Sequence, residues 1–132
     1  MQLRREKHSV SRLIVHLVFV VKYRRKVISN AVWTSLSEGF DLAASRLALV
    51  LLETNHDIDH AHLMVEYPPK HSISEIANAL KGNSSFSVRR DCRQELRGNL
   101  WGGSFWTPSY FAASSGGAPI EILRQYVQSQ GS

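Results

Sequence analysis

Two histidines separated by one residue are the first candidates for metal chemistry in this sequence. His60 and His62 lie within a β-prone segment, Asp59–Tyr67. Alternate residues of a strand point to the same side of a sheet. Two parallel imidazoles on a rigid strand therefore predict half of a site for a divalent metal. The motif is short, and two ordinary histidines on the polar face of a strand would also explain it.

A tyrosine and a glutamine near the C-terminus could supply the rest of such a site. Tyr126 and Gln130 are four residues apart in a segment with helical spacing, so they share one helical face. A tyrosine hydroxyl can act as a covalent nucleophile, and a glutamine carbonyl oxygen can ligate a metal. Neither role follows from the spacing alone, because Tyr126 could equally pack against Leu123 and Val127.

The basic residues are concentrated in the first part of the chain. Residues 1–28 hold eight basic residues and one acidic residue, a net charge of +7, whereas residues 38–66 have a net charge of −5. Arginine binds phosphate oxygens with paired donors, so a basic segment predicts a phosphate-bearing partner. The alternative is a solvated charged surface. The candidate phosphate contacts fall into two groups, of which the first is preferred: Lys22, Arg24 and Arg25, then Arg89, Arg90 and Arg93.

Composition excludes several classes of protein. The chain has 132 residues, 43% of them hydrophobic and 20% charged, which is typical of one globular domain spanning residues 1–132. A single cysteine, Cys92, excludes an internal disulfide framework and a multi-cysteine zinc site. Hydrophobic runs stay shorter than the roughly 20 residues of a membrane span. We therefore expect a soluble protein of a reducing compartment, with no membrane partner.

The order of predicted elements indicates the fold. Hydrophobic periodicity predicts an α+β chain of order β-α-β-β-α-β-α, the split arrangement of ferredoxin-like, or RRM-like, antiparallel sheets with helices on one face. A last helix carries Tyr126. Phe105–Ala113 contains Pro108 and is predicted to be an edge strand or a bulged one. The other predicted elements are strands at 11–23, 47–53 and 59–67, and helices at 29–47, from 72 to about 93 with an interruption at Gly82, and from 118 onward.

Four segments taken together resemble a known family, the IS200/IS605-type single-tyrosine transposases of the HUH nuclease superfamily. They occur in the family's order and span almost the whole chain: His16–Lys26, Asp59–Glu66, Leu100–Tyr110 and Tyr126–Gln130. The resemblance implies a single IS200-like transposase domain. It also implies a DNA transposase that binds hairpin ends of a mobile element and cleaves and rejoins single-stranded DNA through a 5′-phosphotyrosine.

The resemblance assigns roles to the candidate residues. It implies that His60, His62 and Gln130 bind the metal, most simply Mg²⁺ or Mn²⁺, and that Tyr126 is the nucleophile. It further implies a homodimer in which the tyrosine helix can serve the partner's metal site. The expected location is the cytoplasm of a prokaryote, in association with the nucleoid. We expect the aromatic edge strand to contribute to the dimer interface, since pairing removes an aggregation hazard.

Several residues are expected to have packing roles. Most of the aromatic residues Trp101, Phe105, Trp106 and Tyr110 could stack bases but are predicted to lie in the core or at an interface. Packing also explains Tyr23 and Tyr67 at the strand ends, and His16 is predicted to be a hydrogen-bonded packing residue.

Two alternatives for the function stay open. One is a domesticated relative that processes chromosomal hairpin repeats. The other is a non-catalytic single-strand binding module, which would need aromatic residues on the exposed face of its central strands.

Overall fold

The elements of the fold follow the predicted order, with two short strands added before the first predicted strand and one short helix added after the second predicted helix. The structure, a computed structural model, describes residues 3–6, 9–98, 104–114 and 120–130. None of the helices in these ranges is long and apolar enough to cross a membrane. In chain order the elements are β1 (Arg4–Glu6), β2 (Ser9–Ser11), β3 (Leu13–Val20), α1 (Asn30–Leu47), β4 (Val50–His56), β5 (His60–Tyr67), α2 (Ile73–Asp91), α3 (Arg93–Leu96), β6 (Phe111–Ser114) and α4 (Ile120–Ser129).

A four-stranded antiparallel sheet forms the centre of the chain. Its strand order is β4-β5-β3-β6, and β1 pairs with β2 in a separate hairpin. Numbering only the four sheet strands gives the order 2-3-1-4, which is that of a ferredoxin-like domain, so the predicted fold class is confirmed. In the register of the sheet, Val18 of β3 lies opposite His62 of β5 on one side and opposite Phe111 of β6 on the other. These three residues therefore form a row across one face.

The opposite face of the sheet is packed against α1 and α2. Ala61, Leu63 and Val65 of β5 are completely buried there, with Leu17 and Phe19 of β3. The two helices approach closely at Gly39, where a Cβ would lie 2.5 Å from the carbonyl oxygen of Asn83. The helix-packed face thus holds the hydrophobic core and fixes the direction of every β5 side chain.

Local signals place the helix starts correctly. Ser29 caps α1 by accepting a hydrogen bond from the amide of Val32, 3.3 Å away. Ser72 and Glu75 form a complete capping box at the start of α2. Helix α2 runs without interruption through Gly82, so the predicted break at that residue is wrong. Capping chemistry is local, which is why the sequence predicts these boundaries well.

The strand after α1 begins later than predicted. Helix α1 ends with Ala48 in the left-handed region, at φ 56°, and the amide of Leu49 returns to the carbonyl of Ala44 at 2.9 Å. Strand β4 consequently starts at Val50 and continues to His56. Residues 54–56, which fall between the predicted strands 47–53 and 59–67, therefore belong to β4. The left-handed conformation is uncommon for a residue other than glycine, so the sequence does not predict it at Ala48.

The predicted edge strand 105–113 is divided by a bulge. Trp106 pairs with Val21 and Phe111 pairs with Val18, which leaves two extra residues on the β6 side of the ladder. Pro108 lies in this interruption, as expected for a residue without an amide donor. The regular strand β6 is therefore only Phe111–Ser114. Phe105 and Trp106 are buried in the core as predicted, whereas Trp101 lies outside the described residues.

Candidate active site

The two predicted metal ligands project from the face of the sheet that α1 and α2 leave uncovered. His60 and His62 are half-buried, while the intervening Ala61 is completely buried on the core side. The alternation of β5 thus places both imidazoles on one face, in accordance with the strand prediction.

A carboxylate orients the first histidine. Nδ1 of His60 lies 2.8 Å from Oδ1 of Asp59. Because an ionised carboxylate can only accept, Nδ1 carries the proton and Nε2 of the neutral ring keeps a lone pair for a ligand. The other oxygen of Asp59 accepts from Nε of Arg24 at 3.1 Å. Burial opposes ionisation of Asp59, but the hydrogen bonds from His60 and Arg24 outweigh it and lower the pKa of this carboxyl.

The second histidine contacts a third imidazole. Nε2 of His62 lies 3.1 Å from Nδ1 of His16 on the neighbouring strand. Burial and the proximity of His16 lower the pKa of His62 below its ordinary value. A neutral imidazole is the form that binds a metal, so the ring is suited to that role. His16 is a hydrogen-bonded residue as predicted, but its partner is a candidate ligand.

Tyr126 on α4 and Gln130, the residue after the end of α4, lie side by side and are turned toward β6. The hydroxyl of Tyr126 lies 2.8 Å from Oγ of Ser109, and the same Oγ donates to Oε1 of Gln130 at 3.1 Å. The ring of Tyr126 packs on Phe111, with 5.6 Å between the ring centroids. The predicted shared helical face is present, and Ser109 is the group that it contacts.

The β6 bulge presents Ser109 to this helix. Nζ of Lys81 on α2 donates to the carbonyl oxygens of Thr107, Pro108 and Ser109 at 2.7, 3.1 and 3.2 Å. Burial lowers the pKa of Lys81. These carbonyls are outside the regular ladder, and one ammonium group supplies their hydrogen bonds. The hydrogen bonds from Lys81 therefore fix the backbone at Ser109.

A cleft of about 520 Å³ separates the histidine pair from α4. Tyr126 and Gln130 are absent from its lining. Phe111, on which Tyr126 rests, is two strand spacings from His62, on the order of 10 Å. Within one chain the structure therefore does not bring the predicted nucleophile to the predicted metal ligands. The residues that do line the cleft are Val18, Arg24, Asp57, Asp59, His60 and His62 from the sheet side, and Arg124, Val127 and Gln128 from α4.

The donor set at this cleft fits a metal only in part. No group of three His, Cys, Asp or Glu side chains within the described ranges is arranged to hold a metal ion. The two histidines, one of them oriented by Asp59, make a suitable pair of ligands. A third protein ligand must then come from another residue type, and an amide oxygen such as that of Gln130 has the appropriate chemistry.

The predicted phosphate contacts occupy two different regions. Arg24 lines the cleft and is paired with Asp59, and Lys22 and Arg25 flank the ring of Tyr23. Arg89 and Arg90, in the last turn of α2, and Arg93, at the start of α3, are exposed and do not line the cleft.

Arg90 is engaged by a neighbouring carboxylate. It donates twice to Asp91, at 2.7 and 3.1 Å. Hydrogen bonds from Arg90 and Ser35 lower the pKa of Asp91 to about 2. Arg24, from the first group of basic residues, lines the cleft beside the histidine pair, whereas no residue of the second group does.

Three residues of the site were not identified from the sequence. Asp59 precedes His60 directly, and an acidic residue beside a candidate ligand is a usable signal for an orienting partner. Arg124 is two positions before Tyr126, but its direction depends on where α4 lies. No sequence signal marks Ser109, because its role depends on the bulge.

Comparisons with known proteins match one family over most of the chain. The family described as "Transposase IS200 like" matches residues 9–130. The ISDra2 transposase TnpA of Deinococcus radiodurans is 29% identical over 130 residues, covering 98% of this chain and 92% of that protein. The transposase for insertion sequence element IS200 of Salmonella typhimurium is 27% identical over 115 residues, covering 87% and 74%.

Solved structures show the same fold. A crystal structure from Deinococcus radiodurans, described as that of a transposase, superposes with a TM-score of 0.86 at 27% identity, covering 96% of this chain and 97% of the other. A REP-associated tyrosine transposase bound to a REP hairpin superposes with a TM-score of 0.58 at 12% identity, covering 96% and 68%. The second likeness concerns the fold alone.

Proposed function

This chain belongs to the family of IS200-like transposases, and from that premise we propose that it cleaves and rejoins single-stranded DNA at the hairpin-bearing ends of a mobile element. Tyr126 is the proposed nucleophile. The observation that carries the proposal is the pair of open-face histidines, His60 held by Asp59 and His62 beside it, in a cleft covered by the helix that bears the tyrosine.

The proposed metal ligands are His60, His62 and Gln130. A bound Mg²⁺ or Mn²⁺ supplies Lewis-acid polarisation of the scissile phosphodiester. Asp59 keeps the Nδ1 proton on His60 and so directs its Nε2 toward the cleft. Two imidazoles alone also suit Zn²⁺. An amide oxygen together with a phosphate oxygen makes the shell richer in oxygen and favours the harder ions.

The proposed covalent step is an exchange of phosphate esters. The hydroxyl oxygen of Tyr126 attacks phosphorus, the bond to the 3′-oxygen breaks, and the proton of the tyrosine ends on the released 3′-hydroxyl. The 5′-phosphate remains on the tyrosine. Attack by the 3′-hydroxyl of another strand reverses the step and frees Tyr126, so rejoining needs no separate energy source.

We further propose that the active unit is a homodimer. In one chain Tyr126 and Gln130 face Ser109, two strand spacings from the histidine pair. A second copy could present its α4 to this cleft, so that both groups meet His60 and His62 of the partner chain. Strand β6 lies at an edge of the sheet and remains the proposed part of the interface.

Two arginines in the cleft, which Asp57 and Asp59 also line, are candidate contacts for a nucleic-acid substrate. Arg24 enters from the turn after β3 and Arg124 from α4, so two guanidinium groups flank the space next to the histidine pair. Arginine pairs well with the oxygens of a phosphodiester. From the membership of the IS200-like family we propose that a hairpin is the element that the protein recognises.

A non-catalytic binding module is a weaker explanation of the same sheet. Such a module stacks bases on aromatic side chains of its central strands. The open face of β3 and β5 carries instead Ile14, His16, Val18, Val20, His60, His62, Met64 and Glu66.

The decisive experiment is a search for a covalent protein–DNA adduct. Wild-type protein is incubated with single-stranded element ends and Mg²⁺, and mass spectrometry is expected to find a nucleotide on the Tyr126 peptide. We expect Tyr126→Phe to lower cleavage by at least about 10³-fold, because the nucleophile is lost. The double substitution His60→Ala/His62→Ala and EDTA should have the same effect, whereas hairpin binding persists.

Tyr67→Phe is the matched control, because this tyrosine packs against the hydrophobic core. It should cleave like wild type. Cleavage that survives in the double-histidine variant would contradict the metal site, and an adduct on another residue would contradict the nucleophile.

A further inference from the structure

The turn that follows β3 has an unusual backbone. Tyr23 and Arg24 are both in the left-handed region, with φ 61° and 51°. The left-handed region is energetically unfavourable for residues other than glycine. Such conformations persist only where the surrounding structure imposes them. Two backbone hydrogen bonds fix this turn. The amide of Lys22 donates to the carbonyl oxygen of Phe105 at 2.9 Å, and the amide of Arg24 donates to the carbonyl oxygen of Val21 at 2.7 Å.

This backbone turns an aromatic ring outward. Tyr23 is 50% exposed, so the prediction that packing explains it is wrong. Two cations lie over the ring: Nζ of Lys22 is 5.6 Å from its centroid and Cζ of Arg25 is 5.3 Å from it. An exposed aromatic ring beside two cations combines a stacking surface with charges that suit phosphates.

The same turn leads directly to the candidate active site. Arg24, between Tyr23 and Arg25 in sequence, points the other way, pairs with Asp59 and lines the cleft with His60 and His62. The left-handed backbone thus sends one side chain inward to the site and the adjacent ring outward beside it. A strand whose phosphate lies at the histidine pair would have a neighbouring nucleotide within reach of Tyr23.

We propose that Tyr23 is a stacking platform for one unpaired base of the strand that enters the cleft. Lys22 and Arg25 contact the phosphates on either side of that base. The inference rests on the proposed function, since it assumes a single-stranded DNA substrate at the histidine pair. Stacking of a base on an aromatic side chain corresponds to roughly a tenfold change in Kd.

The test couples a change in the protein to a change in the DNA. Element ends are prepared with a hairpin and a single-stranded flank in which each nucleotide in turn lacks its base. For wild-type protein, removal of one particular base should raise Kd roughly tenfold. For Tyr23→Leu, the intact strand should bind roughly tenfold more weakly, and removal of the same base should have no further effect. Tyr23→Trp should restore the sensitivity to that base.

Phe86→Leu is the matched control. Phe86 is another exposed ring with a cation above it, Arg90 at 5.8 Å, but it lies on α2 away from the cleft. This variant should keep the sensitivity of wild type. The proposal would be overturned if removal of that base weakened binding by Tyr23→Leu as much as it weakens binding by wild type. It would also be overturned if removal of the base had the same effect on Kd at every position of the flank.

The outcomes separate this inference from the proposed function. If the base sensitivity depends on Tyr23 but no adduct forms on Tyr126, the platform stands and the chemistry fails. If the adduct forms and Tyr23→Leu shows no coupling to any base, the chemistry stands and the platform is wrong.

Discussion

The two halves of the candidate site are held in the molecule in different ways. Strand β5 carries His60 and His62, and the residues that alternate with them, Ala61, Leu63 and Val65, are completely buried. Helix α4 carries Tyr126 and is followed directly by Gln130, and none of the described side chains of this segment belongs to the hydrophobic core. The histidines are therefore built into the core strand, whereas the tyrosine is attached to the surface of the sheet.

This difference indicates which half can move. Shifting β5 would expose its buried side chains, and removing a single buried leucine side chain costs about 2–5 kcal/mol. Helix α4 is held near the tyrosine by the contacts of one serine and by one ring contact, and a typical hydrogen bond contributes about 1 kcal/mol. The histidine half is thus preorganised, and the described contacts that hold the tyrosine half would cost little to break.

The largest expected effect comes from mixing two inactive proteins. His60→Ala/His62→Ala lacks the proposed metal ligands and Tyr126→Phe lacks the proposed nucleophile, so neither variant is expected to cleave alone. If α4 serves the partner's cleft, an equal mixture that exchanges subunits should recover about a quarter of the wild-type sites, since half of the dimers are mixed and each has one complete site. Cleavage of labelled element ends measures the recovery.

A mixture that stays inactive after confirmed subunit exchange would contradict this arrangement. It would mean that Tyr126 reaches the histidines of its own chain, so that α4 must leave Ser109 within one protomer. Exchange is confirmed separately by tagging the two variants differently and recovering mixed dimers on one tag.

A smaller effect is expected at the preorganised half. Asp59→Asn should reduce cleavage by about 10- to 100-fold, because the residue that orients a metal-binding histidine loses its charge. Asp57→Asn is the matched control, since Asp57 lines the same cleft but accepts a hydrogen bond from the amide of Ile58 at 2.8 Å instead of orienting a histidine. Equal losses in the two variants would show that only the net charge of the cleft matters.

The smallest effect concerns the attachment of α4. Ser109→Ala removes the contacts to Tyr126 and Gln130, and the loss of about 1 kcal/mol should accelerate hydrogen exchange of the α4 amides several-fold. The amides of β5 should not change. Ser104→Ala is the control, because its hydroxyl donates to the carbonyl of Trp106 at 2.8 Å within the same segment. Unchanged exchange in α4 would mean that other contacts hold the helix.

The sequence predicts the first half of the site better than the second. The alternation of β5 and the capping box at Ser72 are local patterns, and both are present in the structure. The helical spacing of Tyr126 and Gln130 is also local and correct. What their shared face contacts is not local, because Ser109 reaches them through a bulge whose carbonyls are bound by Lys81.

The turn after β3 escaped prediction for a related reason. A left-handed backbone is usually signalled by glycine or asparagine, and here it occurs at Tyr23 and Arg24. The consequence is that Arg24, interpreted as a phosphate contact, also pairs with Asp59, which is 35 positions away in the chain. Residue types indicate which chemistry is available to these side chains, but the backbone decides their directions.

Helix α4 contacts two different parts of the molecule, and these contacts limit how its sequence can vary. One side, with Arg124, Val127 and Gln128, borders the cleft, and another, with Tyr126 and Gln130, rests on the β6 bulge. Among its described side chains Ile122, Gln125 and Ser129 remain, spaced three and four residues apart and exposed. Among the described side chains of this helix, substitutions should therefore be tolerated best in one stripe, because a change at the others alters either the lining of the cleft or the contacts with Ser109.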